Sequence, residues 1–297
     1  MAVLGTHPVT VSVVVVNWNA GAALDACLES VCSDGLEGRE LIVVDNASSD
    51  GSPARVRARH PEVMLLESGD NLGFARAANL GAQAARGDTL VFLNPDARVL
   101  PGAIATLVAA LEASPGAGIA GGGLCDDAGR WQPGAARFGP VAHLLLDTTL
   151  GRLPARCRRR PHRVDWVYGT FMAVRTAVFR QLGGFDPRYF VYGEDLDLCY
   201  RAAAAGLRTI HVPEARAVHG GNVSAVQRFG SGRAAAVVEG ELRFYATRGP
   251  GALRRFRAVA TAKFALKALL AAALGRRAAA AASARVVRAC LVAPGSS

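Results

Sequence analysis

Two apolar segments of this sequence end in or next to an aspartate. Asp45 closes the run ELIVVD, and Asp96 follows the run TLVFLNP. Three further acids, Glu194, Asp195 and Asp197, lie together in the segment GEDLDL. A carboxylate is costly to bury without a partner, so a strand that ends on one needs a turn or a bound cation. A positioned carboxylate can also accept the proton of a reacting hydroxyl group. The pattern is therefore compatible with cation binding and with general base catalysis.

Each of these acids also has an ordinary structural explanation. Asp45 and Asp96 belong to a residue type that is common in turns. The acids of GEDLDL fit the first turn of a helix, where the helix dipole stabilises negative charge. His219, in the segment AVHGG, fits a hydrogen-bonded core histidine as well as it fits a ligand. Taken one at a time, these residues leave both explanations open.

The elements that would position the acids alternate between strand and helix over the first 125 residues. Apolar or β-branched runs predict strands at VSVVVVN, ELIVVD, VMLLE and TLVFL, and helical patterns lie between them. This alternation predicts an α/β fold with a doubly wound, mostly parallel sheet flanked by helices. Ligands of such sheets bind at the carboxyl ends of strands, where Asp45 and Asp96 fall. Further predicted features are strands at AGIAGGG and LRTIHV and a helix with Pro101 in its first turn.

Several common sites are excluded by missing motifs. No G-x-G-x-x-G follows the first strand, and the chain contains neither a P-loop nor a G-x-S-x-G nucleophile elbow. No C-x-x-C pair occurs, which argues against a zinc site. The scattered cysteines are typical of a reducing compartment; they are Cys27, Cys32, Cys125, Cys157, Cys199 and Cys290. The first residues lack the basic region and long apolar core of a signal peptide, so we expect a cytoplasmic protein.

The balance of charge predicts an anionic partner. Lys and Arg total 34 against 24 Asp and Glu, which gives a net charge of +10. Nucleic acid, a nucleoside diphosphate and an acidic lipid surface would each suit this charge. The basic segment RLPARCRRRPHR fits either a solvated loop or an anion-binding flap.

The last fifty residues form a basic, Ala-rich segment that is predicted to be helical. Lys263 and Lys267 interrupt its apolar run, so it is not expected to span a membrane. Both lysines share a helical face with Leu266, Leu270 and Leu274, and they could extend toward phosphate head groups from there. A helix that simply packs on the domain explains the pattern equally well.

Five segments in order along the chain resemble the family 2 glycosyltransferases, and within them the bacterial rhamnosyltransferases. The segments are VSVVVVNWNAG, LIVVDNASSDGS, NLGFARAANLGAQAARGDTLVFLNPDA, YGTFMAVRTAVFRQLGGFDPRYFVYGEDLDLCYRAAAAGL and AVHGG, which together cover roughly residues 11–220. The resemblance implies a GT-A fold for residues 1–250. Within it, a nucleotide-binding half spans about 9–125 and an acceptor half spans about 164–222, and residues 251–297 form a helical extension.

The resemblance also implies roles for individual residues. Asp195 matches the catalytic base. The motif usually written D-x-D is NPD here, so Asn94 replaces its first acid. Asp96 and His219 are the implied ligands of Mg²⁺ or Mn²⁺, which prefer oxygen-rich sites. The implied donor-binding residues are Asn17, Asp45, Asn71, Asn94 and Asp96, and the implied acceptor-binding residues are Trp166, Gly169 and Glu194. Core packing is an equally good explanation for Trp166.

The implied activity is an inverting, metal-dependent transfer of a sugar from a nucleoside diphosphate to a hydroxyl group. Rhamnose from dTDP-rhamnose is the leading donor, with another hexosyl or a galactofuranosyl donor as the alternative. The expected acceptor is a cell-wall or polysaccharide glycan precursor, in one version linked to polyprenyl diphosphate. That version predicts peripheral contact with the anionic inner face of the plasma membrane. A non-catalytic scaffold with the same fold is the alternative from another class, and the lack of a nucleic-acid-binding motif argues against a nucleic-acid partner.

Overall fold

Runs of β-branched residues form the centre of a large mixed sheet in the computed structural model, which describes residues 11–139, 160–220 and 229–292. The strands are β1 Val11–Asn17, β2 Arg39–Asp45, β3 Met64–Glu67, β4 Thr89–Leu93, β5 Ala97–Val99, β6 Ala117–Cys125, β7 Trp131–Gln132, β8 Ala135–Ala136, β9 His162–Val164, β10 Trp166–Val167, β11 Phe171–Arg175 and β12 Arg208–His219. The helices are α1 Ala22–Cys32, α2 Ser52–Arg59, α3 Phe74–Ala84, α4 Ala103–Glu112, α5 Thr176–Gln181, α6 Glu194–Ala204, α7 Arg233–Ala246, α8 Pro250–Ala273 and α9 Arg277–Leu291.

The sheet has the strand order β3-β2-β1-β4-β11-β6-β12-β5. Strands β3, β2, β1 and β4 are parallel, as are β6 and β12. Strand β11, which the sequence patterns did not predict, lies antiparallel between β4 and β6. The predicted mostly parallel sheet flanked by helices is confirmed, and β11 joins its two parallel groups.

The continuous apolar character of β1 has a direct explanation, because helices cover both faces of the sheet. Val14 and Val16 belong to the core cluster that includes residues of α3 and α6. Val13 and Val15 belong to the opposite cluster, with residues of α1 and α4. Since alternate residues of a strand point to opposite faces, a strand buried on both sides is apolar at most of its positions. The two polar residues of β1, Ser12 and Asn17, are buried with hydrogen-bond partners.

Two local predictions differ from the structure. Pro101 lies in the turn before α4 and not within its first turn, because Gly102 has φ +73° and the helix begins at Ala103. The predicted strand LRTIHV continues as far as His219, across a register shift between Val212 and Arg216 where β12 pairs with β6. This extension carries His219 to the pairing with β5.

The predicted helical C-terminal region is confirmed, and aromatic contacts attach it to the sheet domain. Phe244 in α7 contacts Tyr200 of α6, and Tyr245 stacks on Phe256 of α8 with ring centres 4.5 Å apart. Among the described helices, none combines the length and the hydropathy that crossing a bilayer requires. Most of the segment RLPARCRRRPHR lies outside the described residues, as does Cys157.

Candidate active site

The carboxyl ends of β1 and β2 hold a buried polar pair. Asn17 lies opposite Asp45 in the parallel register, and its Nδ2 donates to Oδ1 of Asp45 at 2.8 Å. The same Nδ2 lies 3.0 Å from Ser48 Oγ and 2.8 Å from Ser52 Oγ, and the Ser48 N–H donates to Oδ2 of Asp45 at 3.0 Å. Both carboxylate oxygens therefore have partners, which explains how Asp45 can be buried. Asn17 is fully buried, so in this arrangement it orients Asp45.

The next residue, Asn46, holds the loop before α3. Its Oδ1 accepts from the Leu72 N–H at 2.8 Å, and its Nδ2 donates to Oδ1 of Asn71 at 3.0 Å. Asn71 Oδ1 also accepts from the Gly73 N–H at 3.1 Å. Sequence reasoning missed Asn46, although its place directly after a buried strand was a usable signal. The network fixes Asn71, one of the predicted donor-binding residues.

The NPD segment forms a tight turn at the end of β4. The Ala97 N–H donates to the Asn94 carbonyl at 3.0 Å, and the Asn94 N–H donates to the Thr170 carbonyl at 3.0 Å. The Asn94 side chain lies 3.5 Å from the Thr170 hydroxyl. Asp96 lies within this turn, directly before the short strand β5, and its side chain is largely buried. The turn therefore explains how the apolar strand β4 can be followed by a carboxylate at the carboxyl edge of the sheet.

The structure brings together the two predicted metal ligands. His219 pairs with Ala97 in the β12–β5 register, and its Nε2 lies 3.5 Å from Oδ1 of Asp96. The Gln132 amide Nε2 donates to the His219 carbonyl at 3.2 Å, and its Oε1 lies 3.2 Å from His219 Nδ1. With Gln132 in this orientation, Nδ1 of His219 donates to its Oε1, and Nε2 faces Asp96.

Asp96 and His219 together offer one oxygen and one nitrogen to a divalent cation. His219 Nε2 is buried and has no hydrogen-bond partner among the described residues. A divalent cation accepts both a histidine nitrogen and a carboxylate oxygen as ligands. The two residues thus fit a metal ion, although within the described ranges no third His, Cys, Asp or Glu joins them. The remaining ligands would have to come from substrate oxygens or water.

The acids of GEDLDL begin α6, as predicted. Asp195 Oδ2 accepts from the Gly169 N–H at 2.9 Å, and Oδ1 accepts from the Leu196 N–H at 2.7 Å. Burial raises the pKa of Asp195 above its usual range, against these backbone hydrogen bonds, which lower it. Burial first, and the Asp195 charge second, raise the pKa of Glu194 strongly. Oε2 of Glu194 is buried with no hydrogen-bond partner in the described part of the chain. This pair therefore retains a proton at a pH where isolated carboxyl groups would not.

Asp197 differs from its two neighbours in having ion-pair partners. Its carboxylate lies 2.6 Å from Nε of Arg201 and 3.4 Å from a guanidinium nitrogen of Arg248. The Arg248 guanidinium also lies 3.4 Å from the centre of the Tyr200 ring. Asp197 is therefore a structural acid that attaches the segment after α7 to α6.

A cavity of about 140 Å³ lies at the carboxyl edge of the sheet, between residues 16–96 on one side and residues 190–192 and Phe229 on the other. Its lining includes three of the predicted residues, Asn71, Asn94 and Asp96, and five aromatic residues, Trp18, Phe74, Phe190, Tyr192 and Phe229. Sequence reasoning missed these aromatic residues, although Trp18 directly follows β1. Asp45, Asp195 and His219 do not themselves line this cavity.

Asp195 lies just behind the wall of the cavity. The Asn94 backbone, at the cavity, bonds to Thr170, and the neighbouring Gly169 bonds to Asp195. Tyr192, which lines the cavity, precedes Glu194 by two residues and has a left-handed φ of +68°. Asp96 and Asp195 therefore lie at the same edge of the sheet, with the cavity lining beside both of them.

Trp166 and Gly169 occupy different environments. Gly169 is at the site through its hydrogen bond to Asp195. Trp166 is buried in the core cluster, with its ring centre 4.8 Å from that of Tyr168. The core-packing alternative describes the position of Trp166, and contact between its indole and a sugar stays a prediction.

Comparison with known proteins places these features in a family. Residues 12–183 match the sequence model of "Glycosyl transferase family 2". The chain is 33% identical over 229 residues to an N-acetylglucosaminyl-diphospho-decaprenol L-rhamnosyltransferase of Mycobacterium tuberculosis, which covers 70% of this chain and 75% of that protein. It is 30% identical over 207 residues to the rhamnosyltransferase WbbL of Escherichia coli, covering 65% of this chain and 76% of the relative.

Solved structures share the fold at low sequence identity. The mannosyltransferase PcManGT of Pyrobaculum calidifontis, in complex with GDP-Man and Mn²⁺, superposes with a TM-score of 0.58 at 20% identity, covering 95% of this chain and 86% of that one. GalNAc-T7 with UDP, GalNAc and Mn²⁺ superposes with a TM-score of 0.56 at 21% identity, covering 71% of this chain and 44% of that one. At these identities the likeness concerns the fold alone.

Proposed function

This chain belongs to glycosyl transferase family 2, and from that premise we propose that it transfers L-rhamnose from dTDP-rhamnose to a lipid-linked glycan precursor, with inversion at the anomeric carbon. The observation that carries the proposal is the arrangement at the carboxyl edge. The Asp96–His219 pair and the backbone-held Asp195 lie beside a single cavity at that edge. Such an arrangement provides one group for the diphosphate and another for the acceptor proton.

The donor would lie along the ends of β1, β2 and β4. We assign Asp45 to the nucleoside, with Asn17 orienting its carboxylate, and Asn71 and Asn94 to polar contacts within the cavity. The support is positional: Asn71 and Asn94 line the cavity, and the Asn46 network ties Asn71 to the end of β2. Ligands of parallel sheets bind at this edge, outside the carboxyl ends of the strands.

Asp96 and His219 would hold a divalent cation, Mg²⁺ or Mn²⁺. When bound, such a cation would stabilise the negative charge of the departing nucleoside diphosphate. The buried Nε2 of His219, which has no hydrogen-bond partner among the described residues, supports this assignment. So does its hydrogen-bonded Nδ1, since a ligating histidine usually donates its other ring N–H. Because the protein supplies few ligands, we expect weak affinity for the metal without nucleotide.

Asp195 would act as the general base. The acceptor oxygen forms its bond to the anomeric carbon as the bond from that carbon to the diphosphate oxygen breaks, and the hydroxyl proton passes to Asp195. One displacement inverts the configuration. The raised pKa of Asp195 supports this role, because a base whose pKa lies nearer the working pH accepts a proton more readily. Protonated Glu194 would add a hydrogen-bond donor beside it without a second charge.

The acceptor assignment rests on relatives. The M. tuberculosis protein is named for an acceptor with N-acetylglucosamine on diphospho-decaprenol, and we propose an acceptor of that class here. A polyprenyl chain resides in a membrane, so the enzyme would work at a membrane surface.

A product analysis tests the proposal. Purified protein with Mn²⁺ is incubated with dTDP-rhamnose and an N-acetylglucosaminyl-diphospho-lipid, and the product is analysed by mass spectrometry and by NMR of the anomeric centre. We expect addition of one deoxyhexose with inverted configuration. A retained configuration would refute the mechanism, and transfer only from a different nucleotide sugar would refute the donor assignment.

A further inference from the structure

Large exposed apolar side chains are concentrated in the last helices. Of the eight in the described residues, six lie at position 266 or beyond, and of the other two, Phe190 lines the cavity. Four of the six are leucines on α8 and the turn that follows it, and each exposes more than half of its surface: Leu266 58%, Leu269 69%, Leu270 57% and Leu274 66%. A contiguous exposed patch of this kind marks an interaction surface.

These leucines lie on one side of the helix. Leu269 and Leu270 follow Leu266 by three and four residues, and Leu274 follows Leu270 by four. This spacing places all four on a single helical face, which we name the leucine face. The buried residues of α8 are Phe256, Ala260 and Ala271, none of which belongs to the leucine face. Leu291 of α9, 71% exposed, lines an open groove together with Ala262, one turn before Leu266. The exposure of the four leucines shows that α9 leaves the leucine face uncovered.

The charge around the leucine face has a single sign. After Glu241 the chain contains eleven Arg or Lys and no Asp or Glu, so this segment accounts for the whole net charge of +10. The only two lysines of the chain, Lys263 and Lys267, are both on α8. Lys267, Arg276 and Arg277 are exposed. An apolar face with exclusively cationic flanks complements an anionic phospholipid surface, in which acyl chains lie beneath phosphate groups. A second copy of the chain would bring the same positive charge and be repelled.

Helix α9 packs against α8, which carries the leucine face, and specific contacts connect α9 to the cavity. Arg285 of α9 donates to the Ser231 hydroxyl at 2.5 Å. Two residues later, Arg233 Nε donates to the Tyr192 hydroxyl at 3.2 Å, and Tyr192 lines the cavity. The leucine face thus has a fixed relation to the site, as an enzyme acting on a membrane-embedded acceptor requires.

We propose that the leucine face docks the enzyme on an anionic bilayer, with Leu266, Leu269, Leu270 and Leu274 inserted at the interface and the basic residues on the phosphate groups. The biological reason for such docking rests on the proposed lipid-linked acceptor. The binding experiment that tests it needs no acceptor. Binding would be peripheral, since the helix lies in the plane of the interface.

Vesicle flotation of the full chain tests the inference without any substrate. We expect flotation with phosphatidylglycerol-rich vesicles, weaker flotation with pure phosphatidylcholine, and loss of binding at high salt. In the double variant Leu269→Gln with Leu270→Gln, partitioning should fall at least about tenfold, because two apolar side chains no longer leave water. The control Met64→Gln, which changes another exposed apolar residue outside the leucine face, should float like the wild type.

Three results would overturn the inference. The first is no flotation of the wild type with anionic vesicles, and the second is equal flotation of the leucine variant. The third is a wild-type dimer that the leucine variant converts to a monomer, which would show that a second copy covers the face. Transfer to a short-chain, water-soluble acceptor is measured in parallel and should be unchanged in the variant. Failure of that transfer in the wild type would count against the proposed function and not against the docking surface.

Discussion

Replacement of Asp195 by Asn gives the sharpest test of the site. The amide has nearly the same shape but cannot accept the acceptor's proton, so kcat should fall by ~10²–10⁴, which corresponds to ~3–5 kcal/mol in the activation free energy. The structure predicts a smaller effect on stability. Asp195 accepts hydrogen bonds from Gly169 and Leu196 through different oxygens, and an amide can accept only one of them. The loss of about 1–3 kcal/mol for an unsatisfied N–H is offset because the neutral amide is easier to bury than the carboxylate.

The assay compares initial rates of transfer, donor affinity by calorimetry and the thermal unfolding midpoint for Asp195→Asn and for Asp197→Asn. Asp197 is in the same helical turn, but its carboxylate pairs with Arg201 and Arg248. We expect Asp197→Asn to lower the unfolding midpoint and keep most of the activity. We expect Asp195→Asn to lose most of the activity with a smaller change in the unfolding midpoint. Donor affinity should survive in both variants. Turnover by Asp195→Asn within tenfold of the wild type, or a greater loss in Asp197→Asn, would refute the assignment of the base.

Three further predictions concern other parts of the site. Asp96→Ala should abolish the Mn²⁺-dependent part of the thermal stabilisation by nucleoside diphosphate, and an undiminished shift in a thermal-shift assay would remove Asp96 from the metal site. Glu194→Gln should be more stable than the wild type, by a margin in the free energy of unfolding that grows as the pH rises above 4.5. The reason is that the folded state raises the pKa of Glu194, so unfolding of the wild type releases a proton in this range. A margin that shrinks over that range in pH-dependent chemical denaturation would contradict this sign. Gly73→Ala should weaken donor binding and destabilise the fold. An added Cβ would lie 2.4 Å from the Phe190 carbonyl, and the backbone of Gly73 has a left-handed φ. Unchanged calorimetric affinity and an unchanged unfolding midpoint would show that the two cavity walls separate without cost.

Residues 190–192 form one wall of the cavity, and the strand ends and loops of the first half of the chain form the other. The site therefore needs both halves of the chain. The Phe74 N–H donates to the Phe190 carbonyl at 2.6 Å, directly after Gly73, so the two halves meet backbone to backbone. Only a residue without a Cβ permits this approach. The order of the motifs along the chain suggested one site, and this contact accounts for their convergence.

The sequence by itself determined the local features of the fold. The β-branched runs predict β1 and β2, because a strand covered by helices on both faces is apolar at most of its positions. The three acids of GEDLDL mark the start of α6 through their interaction with the helix dipole. The ends of the parallel strands locate Asp45 and Asp96 at one edge, since the direction of a parallel sheet fixes which edge collects the carboxyl ends. The family match confirms the resemblance to family 2 glycosyltransferases. The roles that this resemblance implies for these residues stay predictions.

Only the tertiary structure decided the pairings between distant segments. The insertion of β11 between β4 and β6 and the extension of β12 to His219 depend on neighbouring strands and not on local preference. His219 could have been a core histidine, and it is the register with β5 that places its Nε2 3.5 Å from Asp96. Asp195 and Asp197 have the same side chain and differ in environment, because one bonds to the Gly169 backbone and the other to two arginines. A side chain's chemistry is local, but its partners are set by how the chain packs.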